Sequence, residues 1–414
     1  MNNMLKYRCT ICNRVFETMI PMYTCPHCGE FGILDIEYDY DKIKLDLNFD
    51  TLKHNFDSSM WRYGPLLPVD TSRFSEMLCI GGTPLYQSRR LSKEIGIDDL
   101  FIKDEGLNPS GSTKDRASGL AVLKALELGA TTIACSSTGN AASSLACHAA
   151  HMGLTSVIFV PKRAPIGKLT QLSIYGAHVL MVDGDYKATY QLSKAAIKKY
   201  GWYNRNAAIN PLLVEGKKTV ALEICEQLNF KPTDWIAISV GDGCSIAGVY
   251  KGLYDFWQLG IIKKMPRLLG VQSSGCAPFV EASEQHRSLL PVEENTLADS
   301  IAVGVPRNPV KATNAINKTN GVWISVSDAA ILDAMALLGR SEGIFGEPAG
   351  VAALAGIIKA INKGIIKPHE SVTLIMTGNG LKDPQNAQKT GTNRALIKND
   401  LQAVDHYLAQ NGVI

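Results

Sequence analysis

Residues 235–257 read WIAISVGDGCSIAGVYKGLYDFW, and three elements follow one another in them without a gap. The near-continuously apolar run Trp235–Val240 predicts a strand that is buried on both faces. The segment Ile246–Trp257 has the apolar spacing of a helix. Between them lies the glycine-rich turn Gly241–Ser245, and a turn in this position points backbone N–H groups at an anion. Such a unit is typical of a parallel α/β sheet.

The same alternation repeats on both sides of this stretch. Further apolar runs lie at Thr131–Ser136, Thr155–Val160, Ala177–Val182, Arg267–Gln272, Gly321–Val326 and Ser371–Met376. Amphipathic segments between the runs lie at Asp115–Leu128, Asn140–His151, Ala188–Tyr200, Lys217–Gln227 and Ala330–Ser341. This order predicts parallel sheets with helices on both faces. Ligands of such sheets bind beyond the carboxyl ends of the strands, where the glycine-rich turns fall.

The turn at Gly241–Ser245 favours a small phosphorylated cofactor over a nucleotide. Its sequence, GDGCS, matches neither the GxGxxG pattern of dinucleotide-binding folds nor a Walker loop. The residues that could cradle a phosphate are Gly241, Asp242, Gly243, Cys244 and Ser245. Ser245 can add a hydroxyl to the backbone N–H groups of the turn.

Composition and charge exclude several classes of protein. The chain has 414 residues, of which 46% are hydrophobic and 20% charged, so a sizeable core is expected and whole-chain disorder is excluded. The formal net charge of +3 does not indicate a nucleic-acid or membrane surface. The start MNNMLKYRCT lacks the apolar stretch of a signal peptide, and no apolar run is long enough to span a membrane. We expect a cytoplasmic protein.

Four of the ten cysteines form a predicted metal site. Cys9 and Cys12 form one CxxC knuckle, Cys25 and Cys28 form a second, and 12 residues separate the two. Four thiolates at this spacing favour a closed tetrahedral zinc site with a structural role. Chance pairs or redox dithiols are the alternatives, and His27 is a competing ligand. The six remaining cysteines are scattered in mostly apolar settings, as expected of small core residues in a reducing compartment.

A zinc ribbon also raises a different class of function, an interaction module on an α/β carrier. Many zinc ribbons belong to nucleic-acid-binding proteins. Here the near-neutral charge and the lack of interleaved basic and aromatic residues around the knuckles argue against nucleic acid.

A lysine near the start of a predicted helix is the candidate catalytic residue. Lys114 follows the turn-forming segment Asn108–Thr113 and opens the helix. The positive end of the helix dipole disfavours a lysine there, and a lysine whose pKa is lowered is a usable nucleophile and base. An exposed lysine paired with Asp115 is the alternative interpretation.

Together these segments resemble the fold type II family of pyridoxal-phosphate enzymes, and within it the threonine synthases. The matching motifs are Gly81–Leu85 (GGTPL), Lys103–Pro109 (KDEGLNP), Ser112–Arg116 (STKDR), Ser136–Asn140 (SSTGN), Ile209–Pro211 (INP), Glu215–Thr219 (EGKKT), Phe345–Ala349 (FGEPA) and Thr377–Pro384 (TGNGLKDP). They cover roughly residues 80–390 in the order of the family, some members of which also carry an N-terminal zinc ribbon.

The resemblance implies a fold and a division of the chain. The fold is that of the tryptophan synthase β chain, with two parallel-sheet α/β lobes and the active site between them. We expect a zinc-ribbon-like segment at 1–30, an extension at 31–80, a catalytic region at 81–390 and a C-terminal tail at 391–414. The smaller lobe should span roughly residues 120–210. A homodimer is left open.

The resemblance also implies roles for individual residues. Lys114 would hold pyridoxal 5′-phosphate as a Schiff base and move protons, and Asn140 would hydrogen-bond the 3′-oxygen of the pyridine ring. Thr377 would face the pyridine nitrogen; a strand-end residue that closes a turn is the alternative, and the position before Gly378 would serve either role. Ser137 and Thr138 lie where the family holds the substrate carboxylate. Basic candidates for the substrate phosphate are Lys168, Arg116, Lys217 and Lys382.

The implied reaction is that of a carbon–oxygen lyase acting on a small phosphorylated amino acid. O-phospho-L-homoserine and water would give L-threonine and phosphate by γ-elimination and β-addition of water. A second reaction stays open, β-elimination or β-replacement on serine, threonine or phosphoserine.

The chain also departs from the family pattern. Asp242 and Ser245 stand where threonine synthases commonly carry asparagines, so we expect the Asp242 carboxylate to point away from a phosphate or to bind solvent. Thr113 replaces an aromatic residue. Arg163 and Lys168 lie in the segment where the family has a mobile loop that covers the substrate.

Overall fold

Three sheets make up the strand framework in the computed structural model, which describes residues 3–17, 22–162, 166–391 and 395–414. An N-terminal antiparallel sheet has the order β2-β1-β3 and consists of β1 (Met4–Cys9), β2 (Val15–Phe16) and β3 (Leu34–Tyr38). A larger sheet has the order β12-β11-β10-β13-β5-β4, and a smaller one the order β8-β7-β6-β9. The larger sheet consists of β4 (Leu85–Gln87), β5 (Leu100–Asp104), β10 (Trp235–Ser239), β11 (Arg267–Ser273), β12 (Val322–Val326) and β13 (Val372–Met376). The smaller sheet consists of β6 (Thr132–Ser136), β7 (Thr155–Pro161), β8 (His178–Val182) and β9 (Tyr203–Asn204).

Helices connect the strands and cover the sheets. They are α1 (Tyr40–Asp46), α2 (Phe49–Lys53), α3 (Leu91–Ile95), α4 (Lys114–Glu127), α5 (Asn140–His151), α6 (Ile166–Ile174), α7 (Tyr186–Tyr200), α8 (Leu212–Lys217), α9 (Thr219–Gln227), α10 (Cys244–Gln258), α11 (Pro278–Glu284), α12 (Pro309–Lys318), α13 (Asp328–Glu342), α14 (Pro348–Asn362), α15 (Pro384–Ala387) and α16 (Leu401–Gln410). Single 3₁₀ turns lie at Gly29–Phe31, Glu105–Leu107, Asp299–Ile301, Gly380–Lys382 and Gln388–Thr390, and longer 3₁₀ segments at Met60–Leu66 and Thr71–Glu76. Within the described ranges, no helix is both long enough and apolar enough to cross a membrane.

Strands β10, β11 and β13 of the larger sheet are buried on both faces, as their apolar sequences predicted. On β10, Ile236 and Ile238 enter one core with Phe256 of α10, whereas Trp235 and Ala237 enter the core on the opposite face. Every pairing in the two large sheets is parallel except that of β4 with β5. The prediction of a fold with parallel sheets covered by helices is confirmed. Each of the seven predicted strands lies within one residue of an observed strand at both ends.

The N-terminal sheet packs onto the body rather than standing apart from it. Tyr7 and Ile36 belong to the same hydrophobic core as α10 and its neighbours. The hydroxyl of Tyr38 donates to Glu215 Oε2 at 2.6 Å. Lys311 Nζ donates to the carbonyl of Leu34 at 2.7 Å. Strand β3 at residues 34–38 completes this sheet, which therefore continues past residue 30, the expected end of the zinc-ribbon-like segment.

A buried ion cluster joins the larger sheet to α4 and α9. The Arg116 guanidinium donates to Glu105 Oε2 at 2.6 Å and to Glu223 Oε1 at 2.6 Å. Lys103 Nζ donates to Glu223 Oε2 at 2.8 Å, and Thr83 Oγ1 to Glu105 Oε1 at 2.6 Å. All of these side chains are buried. The glutamates raise the pKa of Arg116 further above its usual range, against the opposing effect of burial.

The structure corrects the prediction that Arg116 is a candidate for binding the substrate phosphate. The side chain is fully enclosed, and its donors are used by two glutamates and by Thr219. It lines neither of the cavities described below. Its charge serves to keep Glu105 and Glu223 ionised inside the protein.

Replacing Arg116 should therefore destabilise the fold. Arg116→Met leaves two carboxylates buried without their partner, so we expect the free energy of unfolding to fall by about 3–5 kcal/mol. Denaturant titration followed by circular dichroism measures the loss. The matched control is Arg73→Met, which removes an exposed ion pair with Glu76 and should leave stability unchanged. An Arg116→Met protein of wild-type stability that loses only substrate affinity would contradict this assignment.

Candidate active site

Two connected cavities lie at the carboxyl ends of the strands, between the larger and smaller sheets. The inner cavity, of about 80 Å³, follows β10 and β13 and contains Lys114 and Lys217. The outer one, of about 520 Å³, opens between the start of α5 and the turn after β13. Ser300 and Glu347 line both cavities and mark the boundary between them. The convergence of loops predicted for this edge of the sheets is therefore present.

The glycine-rich turn after β10 forms one wall of the inner cavity. All five residues from Gly241 to Ser245 line it, and α10 begins at Cys244. Gly243 has φ of +85°, and a Cβ there would lie 2.9 Å from the carbonyl oxygen of Asn308. Only glycine fits this position, and the turn directs the N-terminus of a helix toward the cavity. The arrangement suits a phosphate.

Asp242 stands where the family commonly has an asparagine, and its carboxylate is held by a backbone hydrogen bond. Its Oδ1 accepts a hydrogen bond from the backbone N–H of Arg307 at 3.3 Å, and its carbonyl accepts from the backbone N–H of Asn308 at 3.0 Å. The aspartate thus holds the turn against the segment that precedes α12.

Backbone contacts fix the position of Lys114. The N–H of Thr113 donates to the carbonyl of Thr377 at 2.9 Å, and Ser112 forms a β-bridge with Gly378. These contacts join the start of α4 to the turn that follows β13. Lys114 and Thr377 consequently face the same inner cavity.

The environment of Lys114 lowers the pKa of its amine to about 8, from an ordinary value of 10.5. Burial is the main cause and the positive charge of Lys217 the second, whereas Glu347 opposes the shift. The alternative interpretation, in which Lys114 pairs with Asp115, does not agree with the structure. Asp115 accepts hydrogen bonds from Ser110 and from His148.

Asn140 is the first residue of α5 and lies at the boundary between the cavities. Its Nδ2 donates to Glu347 Oε1 at 2.7 Å. A Cβ on Gly378 would lie 2.3 Å from the same carboxylate oxygen, so glycine is required there. The amide of Asn140 is therefore held from the side of β13, opposite the helix that carries it.

The outer cavity gathers polar groups from both lobes. Lys382 Nζ donates to Ser143 Oγ at 3.1 Å and to Gln171 Oε1 at 2.9 Å. Thr138, a candidate for binding the substrate carboxylate, lines the same cavity. The carboxylates of Asp299 and Asp383 line it as well.

Two other predicted substrate positions are placed differently. Ser137 lines neither cavity, and its hydroxyl accepts a hydrogen bond from the N–H of Gly139 at 3.2 Å, so it shapes the turn before α5. Lys217 lines the inner cavity beside the phosphate-type turn and not the outer one. Arg163 and the side chain of Lys168 lie outside the described residues.

A second buried cation near the inner cavity was not foreseen from the sequence. The Arg205 side chain is 1% exposed, and its Nε and Nη2 both donate to the hydroxyl of Ser118. Its charge contributes to the lowered pKa of Lys114. Nothing in the sequence around Arg205 distinguishes it from a surface arginine. Glu347 was equally unassigned, although it stands in the quoted motif FGEPA and could have been found there.

Comparisons with known proteins agree with this site. The family model described as pyridoxal-phosphate dependent enzyme matches residues 77–378. In solved structures, Escherichia coli diaminopropionate ammonia lyase superposes with a TM-score of 0.66 at 19% identity, over 77% of this chain and 89% of that one. Tomato threonine deaminase superposes with a TM-score of 0.62 at 20% identity, over 80% of this chain and 84% of that one. The protein is a pyridoxal-phosphate dependent enzyme of fold type II.

Relatives that match over nearly the whole chain identify a more specific family within the pyridoxal-phosphate dependent enzymes. A threonine synthase of Methanocaldococcus jannaschii is 38% identical over 97% of this chain and 99% of its own length. One of Methanosarcina acetivorans is 40% identical over 92% of this chain and 93% of its own. The chain belongs to the threonine synthase family.

The described residues fit the cofactor that this family implies. The glycine turn and the start of α10 suit its phosphate, and Lys114 supplies an amine with a lowered pKa. Thr377 offers a hydroxyl in the same cavity, and Asn140 an amide at its boundary. The buried cations Lys217 and Arg205 would be balanced by the negative charge that a phosphate brings.

The reactivity of Lys114 should depend on pH in a way that an ordinary lysine would not show. Burial and the charge of Lys217 penalise the protonated amine, so the proton leaves at lower pH and the nucleophilic form appears earlier. The rate at which cofactor-free protein takes up pyridoxal 5′-phosphate should rise with pH through a midpoint near 8, as followed by the absorbance of the bound cofactor. Lys114→Ala, the control, should show no covalent uptake. A midpoint near 10.5 would contradict the assignment.

Proposed function

We propose that the protein converts O-phospho-L-homoserine and water into L-threonine and inorganic phosphate. The observation that carries this proposal is the match to threonine synthases over nearly the whole chain. The arrangement of an amine, a phosphate-type turn and a cation-bearing outer cavity supports it.

Lys114 is the residue that performs proton transfer in this proposal. Its amine would hold the cofactor covalently in the absence of substrate. When bound, the cofactor supplies an electron sink for the negative charge that develops on the substrate carbon atoms. The freed amine of Lys114, with its lowered pKa, removes the α-proton and later returns protons to the substrate.

Other side chains orient the reactants. Asn140 would hold the ring oxygen of the cofactor, and its bond to Glu347 fixes the direction of the amide. The hydroxyl of Thr377, which lines the inner cavity, would serve the ring nitrogen and carries no charge. It therefore does not stabilise a protonated nitrogen as a carboxylate would, which favours elimination. Thr138 and Lys382 bind the substrate in the outer cavity, Lys382 at its phosphate.

One observation favours a second reaction. Among the described residues that line the outer cavity, Asp299, Asp383 and Glu347 are acidic and Lys382 alone is basic. A cavity with this balance also suits a substrate with less negative charge, such as serine or threonine, which would lose water from its β-carbon.

The two reactions differ in the leaving group, so product analysis separates them. Cofactor-loaded protein is mixed with O-phospho-L-homoserine, phosphate is quantified, and the amino acid is identified by mass spectrometry. We expect equal amounts of phosphate and threonine, and no turnover by Lys114→Ala. Parallel reactions contain L-serine, L-threonine or O-phospho-L-serine. Release of a 2-oxo acid from any of these, with no threonine from O-phospho-L-homoserine, would overturn the proposal.

We also propose that Cys9, Cys12, Cys25 and Cys28 bind one structural zinc ion. Their sulfur atoms all lie within 4.8 Å of one another, and two knuckles converge on one point. A closed set of four thiolates leaves no position for substrate, so the ion would stabilise the ribbon. None of the ten cysteines forms a disulfide, which supports a reducing, cytoplasmic setting.

Metal analysis tests the zinc site directly. We expect about one zinc per chain, and Cys9→Ser should lose the metal and melt at lower temperature. The control is Cys79→Ser, which changes an exposed cysteine outside the cluster and should retain both metal and stability. A metal-free wild type whose stability is unaffected by Cys9→Ser would overturn this assignment.

A further inference from the structure

We propose that Lys217 binds the phosphate of the cofactor, and that it takes no part in binding the phosphate of the substrate. Lys217 is the last residue of α8 and lines the inner cavity together with Gly241–Ser245. It is absent from the lining of the outer cavity, where Lys382 lies. This inference rests on the cavity being the cofactor site, and it holds for either substrate considered above.

The neighbouring lysine shows what is unusual about Lys217. Lys218 is equally buried, and its Nζ pairs with Glu215 at 2.5 Å and with Asp255 at 2.6 Å. Lys217 is 3% exposed, yet no carboxylate in the described part of the chain forms an ion pair with it. A cation in such a place is costly unless a counter-charge is supplied. Lys218 is thus neutralised by carboxylates inside the protein, whereas its neighbour Lys217 lines the cavity without such a partner among the described residues.

Close packing against α10 fixes the base of the Lys217 side chain. A Cβ on Gly248 of α10 would lie 2.8 Å from the Cβ of Lys217, so α10 rests directly against the base of this side chain. The same helix begins at the phosphate-type turn. The base of the Lys217 side chain is therefore fixed against the helix that the turn begins, and the residue lines the same cavity as the turn.

The charges around the site also call for an anion. Lys217 and Arg205 are both buried beside Lys114, and burial lowers the pKa of each of them. Asp242 and the thiol of Cys244 are the nearby groups that favour the charged form of Lys217. Asp242 already accepts the backbone N–H of Arg307. A dianionic phosphate would supply the missing negative charge and would receive a charge-assisted hydrogen bond from Nζ.

The test compares pyridoxal 5′-phosphate with pyridoxal, which lacks the phosphate. Dissociation constants of both are measured by spectroscopic titration of cofactor-free wild type, Lys217→Met and Lys217→Gln. We expect the preference for the phosphorylated form to fall by about 10- to 100-fold in both variants. The preference is expressed as the ratio of the two dissociation constants, called the cofactor ratio. The ratio is used because the charge of Lys217 also lowers the pKa of Lys114, and that effect is common to the two ligands.

The matched control is Lys382→Met, which removes a cation from the outer cavity. It should leave the cofactor ratio unchanged and raise the KM for O-phospho-L-homoserine. Cofactor-free Lys217→Met should melt no lower than cofactor-free wild type, because a buried unpaired charge is removed. The gain in melting temperature on adding pyridoxal 5′-phosphate should be smaller in the variant.

An unchanged cofactor ratio in both Lys217 variants would overturn the inference, most directly if KM for the phosphorylated substrate rises instead. A wild type that binds pyridoxal 5′-phosphate but forms no threonine would contradict the proposed reaction alone. In that case the cofactor ratio still decides the role of Lys217.

Discussion

The hydrogen bond from the N–H of Thr113 to the carbonyl of Thr377 ties the start of α4 to the end of β13. The active site is arranged around this junction. Lys114 and Thr377 belong to segments more than 260 residues apart in sequence, and this bond and the β-bridge between Ser112 and Gly378 hold both segments against one cavity. The glycine that follows Thr377 then lets the Glu347 carboxylate approach closely and hold Asn140. These backbone contacts thus bring Lys114, Thr377 and Asn140 to one site.

Buried charge is distributed in two different ways in this protein. Away from the cavities, Arg116 and Lys218 each contact two carboxylates, and these clusters are closed. Beside the inner cavity, Lys217 and Arg205 are buried without such partners in the described residues. Closed clusters fix helices to sheets, whereas buried cations that have no carboxylate partner inside the protein favour the binding of an anion. The same residue types therefore have structural or binding roles according to where their counter-charges lie.

This distinction explains which expectations from sequence held and which did not. The apolar runs predicted the central strands correctly, because a strand that is buried on both faces consists almost entirely of apolar residues. The strand β5 was missed, because Lys103 interrupts its apolar pattern and is paired only through tertiary contacts. Arg116 was misassigned for the same reason, since a motif shows a charge but not the partners that fold around it. The burial of Arg205 near the cavity could not be predicted from the neighbouring sequence, because it depends on the position of β9 relative to α4.

The N-terminal ribbon acts on the site through the elements that it packs against. Tyr38 hydrogen-bonds Glu215, which also pairs with Lys218, the residue next to Lys217 at the end of α8. Ile33 forms a small buried cluster with Ala208 and with Cys244 of the phosphate-type turn. Cys244 lines the inner cavity, and Ala208 and Lys218 each follow a residue of its wall, Ala207 and Lys217. A ribbon that loosened would leave that wall without its support, so the four cysteines bear on the cofactor site although they lie outside it.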